Sequence, residues 1–131
     1  MSVYDTAKRL ERKIKESDEY KEYIELKEKV IKKDGSKKML LDYQDLMMEL
    51  QTKQLSGQEI SEEEKEKLNN LNNLIEINNN VKKYLEAEYK VSVMLNDLQK
   101  MIFSDIEIGI PKNNEEENLS EKEEGNSEKE D

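Results

Sequence analysis

Between Val81 and Phe103 the apolar residues fall at Val81, Tyr84, Leu85, Val91, Met94, Leu95, Leu98, Met101 and Ile102. Steps of three and four place them on one face of a helix. A stripe of that length is not stable alone in water and has to be buried against other helices, of the same chain or of a partner. Glu88 falls inside the stripe, where an apolar residue is expected. A carboxylate there is either buried and satisfied by hydrogen bonds, with Gln51, Gln54 or a lysine stem as candidate partners, or it is a ligand or switch group. The residues that define the face, Tyr84, Leu85, Glu88, Val91, Leu95 and Leu98, are therefore the candidate interface.

Other segments repeat the pattern. Val3, Ala7, Leu10 and Ile14 step by four, three and four, a narrow seam that predicts a helix over 3–16. Ser2 with Asp5 makes a capping box, and Ser17 followed by Asp18 and Glu19 offers a second start. A second helix is expected over 18–33, with Tyr20, Tyr23, Ile24, Leu26, Val30 and Ile31 on a broad face; whether it is separate from the first stays open. Asp34-Gly35-Ser36 reads as the next break. A third helix follows over 37–55, carrying Met39, Leu40, Tyr43, Leu46, Met47 and Leu50, with Gly57 as its left-handed cap. Ser61 and Glu64 form the strongest start signal, opening a fourth helix with Leu68, Leu71, Leu74 and Ile75. Asn78-Asn79-Asn80 interrupts it, with Asn79 or Asn80 as the cap of the fifth helix. Ile106, Ile108 and Ile110 alternate before Pro111, which suggests a short extended segment packed on the helices.

The fold class is therefore all-α: about five helices in an antiparallel bundle over 1–111. Hydrophobic residues are 34% of the 131 and charged ones 41%, which makes for a thin core. Completion of the bundle by dimerisation is the expectation. Residues 112–131 hold 3 Lys against 9 acidic residues, a net of −6 out of the whole chain's −10. With a single Leu, that tail is expected to be disordered.

Composition also limits function. With no Cys and no His, thiolate and imidazole metal sites, a Cys nucleophile and a Ser-His-Asp triad are excluded, and no cofactor is implied. The acidic balance disfavours strong direct nucleic-acid binding. The N-terminus lacks an apolar leader and no run approaches the roughly 20 apolar residues of a membrane span, so no membrane insertion and a cytoplasmic location are expected. Lys32, Lys33, Lys37 and Lys38, with Lys27 and Lys29 nearby, form a candidate basic docking patch for an acidic partner or RNA, against the plainer reading of a solvated helix end. Met39, Met47, Met48, Met94 and Met101 read either as core filler or as an adaptable groove.

Several segments share order and spacing with a known group: Val3-Tyr4-Asp5, Ser17-Asp18-Glu19-Tyr20-Lys21, Gln51 through Glu59, Asn79 through Tyr89 with Tyr84-Leu85-Glu86-Ala87-Glu88-Tyr89, and Asp97 through Ile102. Over about residues 3–103 the chain resembles the YlbF/YmcA/YheA family of small helical bacterial proteins, on its YheA-like side. The resemblance implies an all-α fold, a packed or intertwined dimer or higher oligomer, and a non-enzymatic role. It further implies protein partners, either family paralogues or the machinery of ribonuclease Y, through which relatives influence RNA processing. Some relatives are linked to iron–sulfur clusters through cysteines, which this chain lacks. The alternatives are direct RNA binding through the Lys27–Lys38 region, a structural oligomeric module, and an enzyme using carboxylates.

Overall fold

The computed structural model describes residues 1–110, and the tail assigned above to 112–131 lies outside them. Five helices follow one another: α1 (Val3–Glu16), α2 (Asp18–Lys32), α3 (Asp34–Leu55), α4 (Glu62–Ile77) and α5 (Asn79–Phe103).

Local chemistry sets most of the boundaries. At α1 the Ser2 hydroxyl accepts from the Asp5 amide at 3.1 Å and the Asp5 carboxylate accepts from the Ser2 amide at 3.4 Å. Ser17 works in both directions. Its hydroxyl donates to the Ile14 carbonyl at 2.6 Å, closing α1, and accepts from the Tyr20 amide at 3.2 Å, opening α2. Its backbone is extended, so α1 and α2 are separate helices. The α3 end is a Schellman motif: Gln58 N–H bonds the Lys53 carbonyl at 2.9 Å and Gly57 N–H the Gln54 carbonyl at 3.2 Å. Gly57 has φ +79°, a region that side-chain-bearing residues rarely adopt. Ser61 and Glu64 form the second capping box, opening α4.

Two boundaries differ from the sequence reading. Asp34-Gly35-Ser36 is not a break but the first turn of α3, and the break is the single extended residue Lys33, which makes no side-chain cap. Asp34 suits the positive end of the helix. Ser36 is buried and its hydroxyl accepts from the Asn78 side-chain amide at 3.1 Å, a contact 42 residues away in sequence. Asn78 rather than Asn79 or Asn80 caps α5, its side-chain oxygen accepting from the Val81 amide at 3.1 Å.

The core is built by α2 to α5: Leu26 and Val30, Leu40, Ile75, then Val81, Tyr84 and Ala87, with Tyr23, Met39, Tyr43, Leu71 and Leu85 packed around them. Val30 and Val81 are fully enclosed. No residue of α1 is buried. The alternating Ile106, Ile108 and Ile110 do not pack as an apolar layer: all three are exposed.

Candidate functional site

On α5, residues 84, 88, 91, 95, 98 and 102 follow one another in steps of four and three, a seam of coiled-coil type. The structure divides the six interface candidates between two environments. Tyr84 and Val91 are core residues, and Leu85 and Glu88 are half-buried at its margin. Leu95 is 46% exposed and Leu98 half-buried. The buried line up to Val91 runs through Ala87, not Glu88. Apolar-residue spacing alone skipped Ala87 because an alanine adds little to a stripe, yet it is buried in the core.

Glu88 is therefore not enclosed, and neither Gln51 nor Gln54 satisfies it: both are exposed at the end of α3. Its partner is one turn back on its own helix. The Tyr84 hydroxyl donates to Glu88 Oε2 at 3.4 Å, because a carboxylate can only accept. The Tyr84 oxygen then accepts from the Tyr23 hydroxyl of α2, 3.3 Å away. The two rings lie 5.3 Å apart at 33°, and Tyr20 extends the row at 6.0 Å from Tyr23. Lys27 Nζ sits 5.9 Å over the Tyr23 ring.

Burial pushes the Tyr84 hydroxyl well above the ordinary tyrosine range, and the Tyr23 hydrogen bond and the Glu88 negative charge push it further. It stays protonated at any physiological pH and acts as a fixed donor. Chemically the Tyr23–Tyr84–Glu88 chain orients α2 on α5; it does not shuttle protons. Sequence reading placed both tyrosines on helix faces but could not pair residues 61 apart.

Lys32, Lys33, Lys37 and Lys38 are all exposed around the α2–α3 break. Lys38 pairs with Asp42 at 3.0 Å. The other three form no ion pair among the described residues. Of the methionines, Met39 packs on the core while Met48 and Met101 are exposed.

Open grooves run between helices. One of about 430 Å³ lies between α3 and α4, with Leu46, Leu71 and Leu74 below a rim of Asp42, Asp45 and Glu49; Lys67 and Asn70 complete it. A polar groove of about 360 Å³ lies between α2 and α5 with Glu25, Glu86, Lys29 and Lys83 among its walls. A smaller apolar one, about 230 Å³, exposes Ala7, Leu10 and Ile14 of α1 beside Tyr20. Among the described residues no carboxylate cluster is arranged to hold a metal, and no helix is long and apolar enough to cross a membrane.

Fold and site together define a small all-α protein that offers seams and grooves at its surface. Residues 3–107 match the family described as control of competence regulator ComK, YlbF/YmcA, and the chain belongs to that family. It is 49% identical over 113 residues to a UPF0342 protein of Halothermothrix orenii, covering 86% of this chain and 96% of that one. A UPF0342 protein of Bacillus pumilus is 35% identical, over 82% of this chain and 91% of its own. The fold is similar to that of a protein of unknown function (DUF964) from Bacillus stearothermophilus, with a TM-score of 0.68 at 20% identity, covering 78% of this chain and 90% of that chain.

Proposed function

We propose that the chain acts as a homo-oligomeric, protein-binding regulator or adaptor with no reaction of its own. The observation that carries this reading is the α5 seam, packed internally at Tyr84 and Val91 and open at Leu95. Leu74 is likewise half-exposed in the α3–α4 groove. Apolar faces of this kind on small helical proteins are the usual material of interfaces. The family's regulator description fits a protein that works by contact. The finer assignment is to a cytoplasmic complex of family paralogues that bears on RNA processing through ribonuclease Y, as the resemblance implies.

The exposed, unpaired Lys32, Lys33 and Lys37 favour one second reading, direct RNA binding. Binding of the chain to ribonuclease Y and to a single-stranded RNA, each at two salt concentrations, separates the two. The protein reading expects binding to the ribonuclease, and RNA binding that is weak or absent. The RNA reading expects tight RNA binding that falls steeply with salt, because phosphate contacts release counterions. Sedimentation of the purified chain tests the oligomer directly: a stable monomer at micromolar concentration overturns it.

A further inference from the structure

The lysines of the α2–α3 break belong to a larger cluster than sequence order shows. Residues 27–38 hold six Lys against two acids, Glu28 and Asp34, in a chain whose net charge is −10. The fold adds α5 to them. Lys29 shares the α2–α5 groove with Asn79, Asn80 and Lys83. Ser36 of α3 holds Asn78, the cap of α5, at 3.1 Å. The end of α2, the start of α3 and the start of α5 therefore meet. Lys29, Lys32, Lys33, Lys37 and Lys83 are exposed there, and none makes an ion pair among the described residues. The nearby acids Asp42 and Glu76 are engaged by Lys38 and Lys82. Glu25 and Glu86 stand in the groove one turn further from this end. Like charges gathered in this way repel one another and attract a mobile anion.

The same chain carries such an anion. Residues 112–131, outside the described part, hold nine acids against three Lys, with the runs Glu115-Glu116-Glu117 and Glu123-Glu124. Its length suits the task. α5 begins at the cluster, and its 25 residues measure about 37 Å at the helical rise. Residues 104–110 add at most about 25 Å, and the chain from Pro111 to Asp131 extends to about 70 Å, long enough to return to the start of α5. A tether of this kind gives a local concentration on the order of millimolar, at which weak surface ion pairs suffice. Leu119 is the single large apolar residue of the segment, so the attraction is one of charge and sensitive to salt.

We infer that the acidic segment 112–131 docks on the lysine cluster of its own chain and withholds it from other anionic ligands. Salt or a stronger polyanion displaces the segment and opens the cluster. An RNA or an acidic protein that used these lysines would have to compete with a tethered rival. The inference goes beyond the regulator reading and does not depend on the oligomer.

Because the chain has no cysteine, Ser120→Cys gives a single site for a nitroxide in the full chain. At low salt the amide signals of residues 29–38 and 79–83 are expected to lose at least half their intensity, while those of residues 62–66 at the start of α4 keep theirs. At about 0.5 M salt, where charges are screened within about 4 Å, the lost intensity should return. The same label in a chain that also carries Lys32→Gln, Lys33→Gln and Lys37→Gln should leave the cluster unaffected. An isotope-labelled chain without the nitroxide, mixed with a nitroxide chain without the isotope, should show no loss either. Acetylation read by mass spectrometry needs no label. Lys32, Lys33 and Lys37 should react at least threefold faster once Glu115, Glu116, Glu117, Glu123 and Glu124 are replaced by Gln, with Lys13 unchanged. Signal loss that is absent at low salt, survives high salt or persists in the lysine variant overturns the inference, as do equal acetylation rates. Loss found in the mixture assigns the cluster to the segment of a second copy and overturns docking within one chain. None of these outcomes touches the regulator reading, which ribonuclease binding and sedimentation decide.

Discussion

α1 and the first three turns of α5 look alike as sequences and behave differently as structure. Both are amphipathic and both begin at a side-chain cap, Ser2 for one and Asn78 for the other. Yet α5 contributes Val81, Tyr84, Ala87 and Val91 to the interior, and α1 contributes nothing to it. Spacing describes what a helix is able to bury. What it does bury depends on whether neighbours surround it. α5 faces a core to which α2, α3 and α4 also contribute, while α1 has α2 at its side.

The sharpest way to break that comparison is to put a charge into each seam. Val81 is fully enclosed, and Val81→Asp leaves a carboxylate without a partner among apolar side chains. Loss of more than about 4 kcal/mol is expected, enough to abolish cooperative unfolding in urea. The milder Val81→Ala should cost about 2 kcal/mol through lost contacts and a residual cavity. A native-like urea curve for Val81→Asp would place α5 at the surface.

Next in size is the tyrosine link between α2 and α5. Tyr84→Phe keeps the ring packing and removes the hydroxyl that joins Tyr23 to Glu88. A cost of about 1 kcal/mol is expected, both bonds being long. Glu88→Gln should be milder still, since an amide oxygen accepts the same bond. The hydroxyl also leaves a signature in pH. Its ionisation is raised in the folded state above the ordinary value of 10.0. The unfolded chain therefore loses that proton first, and the contribution is whole below about pH 10 and is lost as pH rises above it. Urea midpoints between pH 9 and 11 should fall less in Tyr84→Phe than in the parent; equal slopes would mean that the hydroxyl is not enclosed.

A third effect comes from the clamp between α3 and α4. Lys53 Nζ meets Glu64 at 2.7 Å, and Glu64 also accepts from the Ser61 amide at 2.9 Å. The Lys53 hydrogen bond, then that of the Ser61 backbone, holds the Glu64 carboxyl below its usual 4.5. A lowered carboxyl stabilises above its unfolded value and loses that contribution as pH falls through it. Glu64→Gln should accordingly flatten the loss of melting temperature between pH 5 and 3. On α1, Glu11 is likewise held low, by Lys8 and Lys15. Those pairs are exposed along one helix, and Glu11→Gln is expected to change the same profile less.

How much of this was legible in the sequence follows the distance between interacting residues. Ser2 with Asp5, Ser17, Gly57 and Ser61 with Glu64 act within a few residues, and each could be read directly. Lys33 could not, since a lysine carries no capping signature and the Asp-Gly-Ser beside it resembles a turn as much as a helix start. Ala87 was hidden by its small size, and Glu88 was placed too deep because a one-residue offset turns a helix by about 100°. Tyr23 with Tyr84, Ser36 with Asn78, and the groove rim of Asp45 and Glu49 beside Leu71 need the fold before they become neighbours. The family match was legible for the opposite reason, since it rests on many short segments in order and on no single contact.

The smallest expected effect completes the contrast. Leu10 is the most natural candidate for a core residue in α1, central in its seam and flanked by Ala7 and Ile14. It is nevertheless only half-covered, so much of its surface already meets water in the isolated chain. Leu10→Asp should therefore cost less than about 1 kcal/mol when unfolding is followed in solution dilute enough for the chain to be monomeric. At higher concentration the same change should lower the melting temperature more, because a carboxylate in the seam also weakens whatever that seam binds, and stability then depends on protomer concentration. Melting curves over a hundredfold range of concentration check both halves. A loss at high dilution comparable to that of Val81→Asp would mean that α1 belongs to the core after all. A small loss independent of concentration would mean that its seam binds nothing.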